Sequence, residues 1–141
     1  MTTFDTCVEK MIVNGYEDGS KRGSINPMSN ALPAGFGSLE QFVTRFALSG
    51  TANRAKLRGD ATPAERQSFY AAAKDLIAPA LDLLDKKKVN ELDDAEQRLM
   101  NLCLSFAHIA LAIEIQGPDE ARHAALRQHM RITRSTADAA A

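Results

Sequence analysis

The sequence predicts an all-α protein, an irregular bundle of four to five helices around one central apolar helix. Apolar side chains recur at helical spacing along most of the chain, three segments begin with helix-capping signatures, and no stretch alternates as a strand does. A chain of 141 residues that is 45% hydrophobic can build one domain with its own core. We predict a single helical domain over residues 1–130 and an extended or frayed tail over residues 131–141.

The N-terminal region combines a predicted short helix with a long loop. Apolar residues at helical spacing precede Gly15, which suits a helix end: Phe4, Cys7, Val8, Met11 and Ile12. From about residue 16 to residue 37 the chain is rich in Gly, Pro, Ser and Asn, and loops of this length are uncommon in compact domains. We expect Leu32 and Phe36 to pack this loop on the helical core.

Three tetrapeptides have the form of a capping box, in which side chains satisfy free backbone groups at a helix start. They are SLEQ at 38–41, TPAE at 62–65 and DDAE at 93–96. The apolar stripe that follows SLEQ stops at Gly50. We therefore expect the helix to break at Gly50, or another backbone to approach closely there. The second helix contains Pro79, which lacks a backbone donor and should kink or split the helix.

The third capping signature begins the predicted central helix, which spans about residues 94–116. Its apolar arc covers roughly two thirds of the circumference, which is wider than the arc of an ordinary surface helix. Gly117 and Pro118 should end this helix and start another one with a weak apolar face. The longest apolar stretch, residues 102–115, is too short for a membrane span and carries polar residues.

A line of polar residues runs along the central helix in the segment NLCLSFAHIALAIE. Asn101, Ser105 and His108 lie within roughly 60° of one another at about 100° per residue. The line can face solvent or bond to buried backbone, it can lie in a subunit interface, or it can line a pocket. In a pocket, His108 would be the catalytic acid or base, Asn101 and Ser105 would position a ligand, and burial would lower the histidine pKa.

Two weaker motifs lie near the C-terminus. EARH at 120–123 has the Glu-x-x-His spacing of carboxylate-bridged metal bundles, but the required second pair is not evident, so we predict no metal site. Basic residues accumulate beyond Glu120, namely Arg122, His123, Arg127, His129, Arg131 and Arg134. They suit a solvated tail or, alternatively, a contact with an anion or a nucleic acid.

Composition limits the function classes. The formal charge of −1 gives no overall field to attract nucleic acid or an anionic membrane, and we expect neither partner. Cys7 and Cys103 each lie in an apolar helical pattern, which is typical of reduced core residues and favours the cytoplasm. The acidic residues near the N-terminus argue against a secretory signal.

These observations favour a soluble helical protein that acts by association, as a homo-oligomer or as an accessory subunit of a protein partner. A small-molecule-binding protein or a cofactor-independent enzyme with its pocket near His108 is the first alternative. A contact with an anion or a nucleic acid through the basic C-terminal arm is the second. No cofactor is predicted, and the sequence does not decide whether the protein is an enzyme.

Overall fold

The computed structural model describes residues 31–133, and within this range the chain is helical without strands, which confirms the predicted fold class. The elements follow one another as a 3-10 segment Gly37–Phe42, α1 Val43–Phe46, α2 Thr51–Asp60, α3 Pro63–Ala73, α4 Ile77–Leu84, a 3-10 turn Val89–Glu91, α5 Asp94–Ala110, a π-helical segment Leu111–Gln116, a 3-10 turn Gly117–Asp119 and α6 Glu120–Arg127. The predicted first helix, the loop before residue 31 and the tail from residue 134 lie outside the described residues.

Helix α5 is the centre of the bundle, as predicted, and packs against α1, α2, α3 and α4. Leu99, Leu102 and Ile109 are at most 1% exposed. After Ala110 the helix continues through the wider π-helical turns until Gly117, whose φ of 48° ends it. By length and composition alone the helical run Asp94–Arg127 could cross a membrane, a test that the core helix of a soluble bundle also passes.

Two of the three predicted capping boxes are confirmed. The Thr62 hydroxyl accepts from the Glu65 backbone at 3.1 Å, and the Glu65 carboxylate accepts from the Thr62 backbone at 2.7 Å. The box at 93–96 has the same reciprocal bonds, at 2.8 and 2.9 Å. The box predicted at 38–41 is wrong, because this segment is 3-10 helical and the Gln41 amide donates to the Ser38 carbonyl instead.

The predicted break at Gly50 is confirmed, and the helix that contains Pro79 is split as predicted, but before Pro79 and not at it. Gly50 has a φ of 86° and separates α1 from α2, while an added Cβ there would meet only an Asn53 side-chain atom at 3.6 Å. The glycine therefore provides the positive φ that the turn requires, and it does not make room for another backbone. Pro79 lies in the first turn of α4, where its missing N–H needs no helical partner, and the break falls at residues 74–76.

An aromatic cluster joins the helices beneath α5. Phe69 is fully buried and stacks on Phe46 with ring centroids 4.3 Å apart, while Tyr70 stacks on Phe106 at 5.6 Å. Leu32 and Phe36 are each 6% exposed and belong to the same core, which confirms that this end of the loop packs on the helices. The core thus fixes the positions of α2 and α5, which carry the polar groups described next.

Candidate functional site

The Ser105 side chain of the polar line points into the protein. It is 1% exposed, and its hydroxyl donates to the Phe46 carbonyl at 2.5 Å. Phe46 ends the four-residue helix α1, and its carbonyl also accepts from the Leu48 backbone N–H at 2.9 Å. Ser105 thus attaches the end of α1 to α5. A hydrogen bond from a buried side chain to backbone was one of the interpretations of the polar line.

His108 lies one turn further along α5 and is half-buried. Burial lowers its pKa below the ordinary 6.5, and the positive charges of Arg54, Arg58 and Arg127 lower it further. The ring is therefore neutral at neutral pH, so its free nitrogen can accept a hydrogen bond or a proton. Positive surroundings weaken it as a base, because protonation would add a fourth positive charge.

The arginines near His108 belong to a buried ion network that connects α2 with α6. The Arg58 guanidinium donates to both carboxylate oxygens of Glu120, at 3.0 and 2.8 Å, across 62 positions of sequence. Arg127 also donates to this carboxylate, and Glu120 itself is only 3% exposed. Burial raises the pKa of Glu120, but the hydrogen bonds from both arginines outweigh burial and hold this pKa below 4.5.

Arg54 is the second buried arginine of α2 and is 2% exposed. Its guanidinium donates to the Leu48 carbonyl at 2.9 Å and to the Thr51 hydroxyl at 3.4 Å. Together with Leu57 and Arg58 it forms the inner face of α2. This helix was not predicted from the sequence, because two of its core positions are charged. The available signal was the helical spacing of 54, 57, 58 and 61.

The Glu-x-x-His spacing at 120–123 has a structural explanation. Glu120 is held by two guanidinium groups, and it is the only buried residue of α6. Within residues 31–133, no three His, Cys, Asp or Glu side chains are grouped so that they could hold a metal ion. The carboxylate of this motif attaches α6 to the bundle.

Cys103 has the properties of a core residue. It is a free, buried cysteine, and burial raises the pKa of its thiol to about 11. The thiolate is the nucleophilic form of cysteine, so this side chain is unreactive at neutral pH.

A groove of about 720 Å³ lies between α2 and the C-terminal residues, and we call it the α2–α6 groove. Small residues line both sides: Ala52, Ala55 and Gly59 on α2, and Ala124 and Ala125 on α6. Lys56 and Arg127 also line it, and Met130 and Ile132 lie beyond the end of α6. A smaller cavity of about 210 Å³ lies beside Pro63, Arg66 and Ala112.

None of the three residues of the polar line is among the residues that line these two cavities. Asn101 is half-buried on α5, two turns before His108. A catalytic role of His108 and a ligand-binding role of Asn101, Ser105 and His108 therefore stay predictions. Comparison with known proteins adds no assignment, since no family model, no curated protein and no solved structure matches this chain.

Proposed function

We propose that the protein acts by association with a second copy of itself. The observation that carries this proposal is a set of exposed apolar side chains on the π-helical segment and on α6. Leu111, Ile115 and Leu126 are 48%, 68% and 58% exposed. We call these three residues the C-terminal apolar surface. The two elements that carry them pack against each other.

Physical chemistry favours burial of these side chains in a subunit interface. Full burial of one fully exposed Leu or Ile side chain is worth about 1.5–3 kcal/mol, and these three are about half to two thirds exposed, so each contributes a corresponding fraction towards the entropic cost of association. The small net charge of −1 leaves little repulsion between two copies of the chain. In a closed, symmetric dimer both copies contribute the same surface to the interface. One small surface on each copy can therefore be sufficient to form the dimer.

Sedimentation velocity over a range of protein concentrations tests this proposal. We expect the wild-type chain to form a dimer, and Ile115→Asp to shift it towards the monomer by placing a carboxylate in the interface. Val89→Asp is the matched control, because Val89 is 69% exposed and Ile115 is 68% exposed, but Val89 lies in the connector between α4 and α5. The control should therefore keep the wild-type oligomeric state.

A monomeric wild-type protein at every concentration would overturn the proposal. So would a dimer that Ile115→Asp and Leu126→Asp leave intact while both variants keep their helical circular dichroism. The proposal includes a cytoplasmic setting, with which the buried free thiol of Cys103 is compatible.

A further inference from the structure

We propose that α6 is an acid-released latch, which moves away from α2 about Gly117 while the rest of the bundle stays folded. Release of α6 does not require a second copy of the chain, so it goes beyond the proposed function. Opening also moves Leu126 away from Leu111 and Ile115, and an open latch would therefore divide the proposed dimer surface.

Few contacts hold α6 on the bundle. Glu120 is its only buried residue, and the helix packs mainly against the π-helical segment and the 3-10 turn that directly precede it. On its other side lies the α2–α6 groove, beside which the Arg58 guanidinium donates to both carboxylate oxygens of Glu120. Loss of these hydrogen bonds would leave α6 with little buried surface to keep it in place.

A hinge lies directly before the part that would move. Gly117 has a φ of 48° and begins the 3-10 turn Gly117–Asp119. A Cβ built at Gly117 would meet no described atom within 4 Å, so the backbone has room to change its angles there. Hinges are typically a few residues at the end of an element that absorb such a change in φ and ψ.

The charges beside the latch make it sensitive to protons. Arg127 lies on the same face of α6 as Glu120, because seven positions correspond to about two helical turns. Within residues 31–133, the charges that act on His108 are all positive and come from Arg54 and Arg58 on α2 and from Arg127 on α6. A proton on His108 therefore adds positive charge beside the two guanidinium groups that hold Glu120.

Other charged or titratable groups also lie near the groove. Lys56 and Asp60 pair with each other along α2 at 2.5 Å, so their charges compensate. His123 is half-buried on α6 and is an alternative proton acceptor on the part that would move. The test below therefore includes His123.

The direction of the effect follows from proton linkage. Burial and the three guanidinium groups hold the pKa of His108 below 6.5 in the closed form, and opening takes Arg127 away from it. Opening also frees Glu120 from both arginines, whose hydrogen bonds hold its pKa below 4.5. The open form therefore binds protons more tightly at both positions, and a falling pH favours it, first through His108 and then through Glu120.

Hydrogen–deuterium exchange of the full-length protein tests the latch, read on peptides from α5 and α6 and corrected for the intrinsic pH dependence of exchange. We expect α6 to be about tenfold or more less protected than α5 at pH 7.5, since α6 opens locally. Between pH 7.5 and pH 5 the protection of α6 should fall about threefold or more, as the open form takes up a proton.

Two histidine variants assign this response. His108→Gln should remove most of it, because glutamine does not titrate. His123→Gln is the matched control on α6 itself, and it should keep the response of the wild type.

Two variants of the ion network test the latch from the other side. Glu120→Gln imitates the protonated carboxyl, so α6 should already have lost protection at pH 7.5. Arg127→Gln removes the charge on α6 that acts on His108, so it should reduce the pH response. This second variant keeps the test decisive if Glu120→Gln fails to fold.

Any of three results would overturn the latch. They are protection of α6 equal to that of α5, protection of α6 that is unchanged between pH 7.5 and pH 5, and a response in His108→Gln as large as in the wild type. Ile115→Asp separates the latch from the proposed dimer. This variant should be monomeric and keep the pH response of α6.

Discussion

Ser105 shows how a polar residue within the most apolar helix can serve packing. Its hydroxyl is buried and donates to the terminal carbonyl of α1, which also accepts from the Leu48 backbone N–H at 2.9 Å, so the hydroxyl has a hydrogen-bond partner inside the core. Helical periodicity was sufficient to place Ser105 on one line with Asn101 and His108. It could not supply the acceptor, because Phe46 lies 59 positions away and meets Ser105 only in the folded chain.

Loss of this hydroxyl should destabilise the protein. Ser105→Ala removes one of the two donors to the Phe46 carbonyl, which keeps its bond from the Leu48 backbone N–H, and the net contribution of one such hydrogen bond is about 0.5–1.5 kcal/mol. We expect a lower urea midpoint for unfolding, with the same dependence on urea concentration. Ser68→Ala, on the exposed part of α3, is the matched control and should retain the wild-type midpoint. Equal midpoints for both variants would show that the hydrogen bond contributes no net stability.

Cys103 and His108 show the effect of burial on reactive groups. Burial raises the pKa of the thiol to about 11 and lowers the pKa of the imidazole, so both side chains are neutral at neutral pH. The sequence indicated a partly desolvated His108 only for the case that the polar line faces a pocket. The additional effect of Arg54, Arg58 and Arg127 comes from α2 and α6 and required the tertiary structure.

At the scale of helices, the features that could be predicted were those that depend on residues close together in sequence. The capping boxes of α3 and α5 involve side chains only three residues apart, so the sequence contains both partners. Helix α2 was missed because its inner face carries Arg54 and Arg58, which periodicity treats as surface residues. Burial of Arg58 depends on Glu120, which lies 62 positions away on α6. A local sequence pattern does not indicate a pair of residues so far apart.

Helix α6 is attached to the bundle mainly through a charge, because Glu120 is its only buried residue. Glu120→Gln keeps the shape of the side chain but leaves the Arg58 guanidinium buried beside a neutral amide. Removing one partner of a buried ion pair costs on the order of 3 kcal/mol, so we expect α6 to detach at lower urea concentrations than the other helices. Limited trypsin digestion should then cleave faster after Arg122 and Arg127.

Asp119→Asn is the control for this experiment, since it removes one negative charge from the adjacent, exposed position. It should leave the cleavage rate after Arg122 close to that of the wild type. If Glu120→Gln resists trypsin as well as this control does, then apolar contacts hold α6 in place and the ion network is dispensable.

The whole molecule has a nearly neutral net charge, but its interior concentrates positive charge where α2, α5 and α6 meet. Protonation adds positive charge at this place both when His108 gains a proton and when Glu120 loses its negative charge. In the folded protein the pKa of His108 is below 6.5 and the pKa of Glu120 is below 4.5. The unfolded chain therefore binds protons more readily at both sites, and acid should favour unfolding.

The two sites act in separate pH ranges. The lowered pKa of His108 reduces stability as the pH falls below about 6.5, and this loss is complete below the folded-state pKa. The stabilisation that Glu120 provides is present above about 4.5 and is lost as the pH falls through its folded-state pKa. Between pH 7.5 and pH 5 the change in stability should therefore come mainly from the histidine.

We predict that His108→Gln removes most of the stability change between pH 7.5 and pH 5, because glutamine keeps a polar side chain but does not titrate. The measurement is the free energy of unfolding in urea at several pH values across this range. His129→Gln is the control, since this histidine is exposed just beyond α6, and it should follow the wild-type pH dependence. If His108→Gln and the wild type lose stability equally towards pH 5, then the imidazole is not desolvated beside the arginines and another group governs the acid sensitivity.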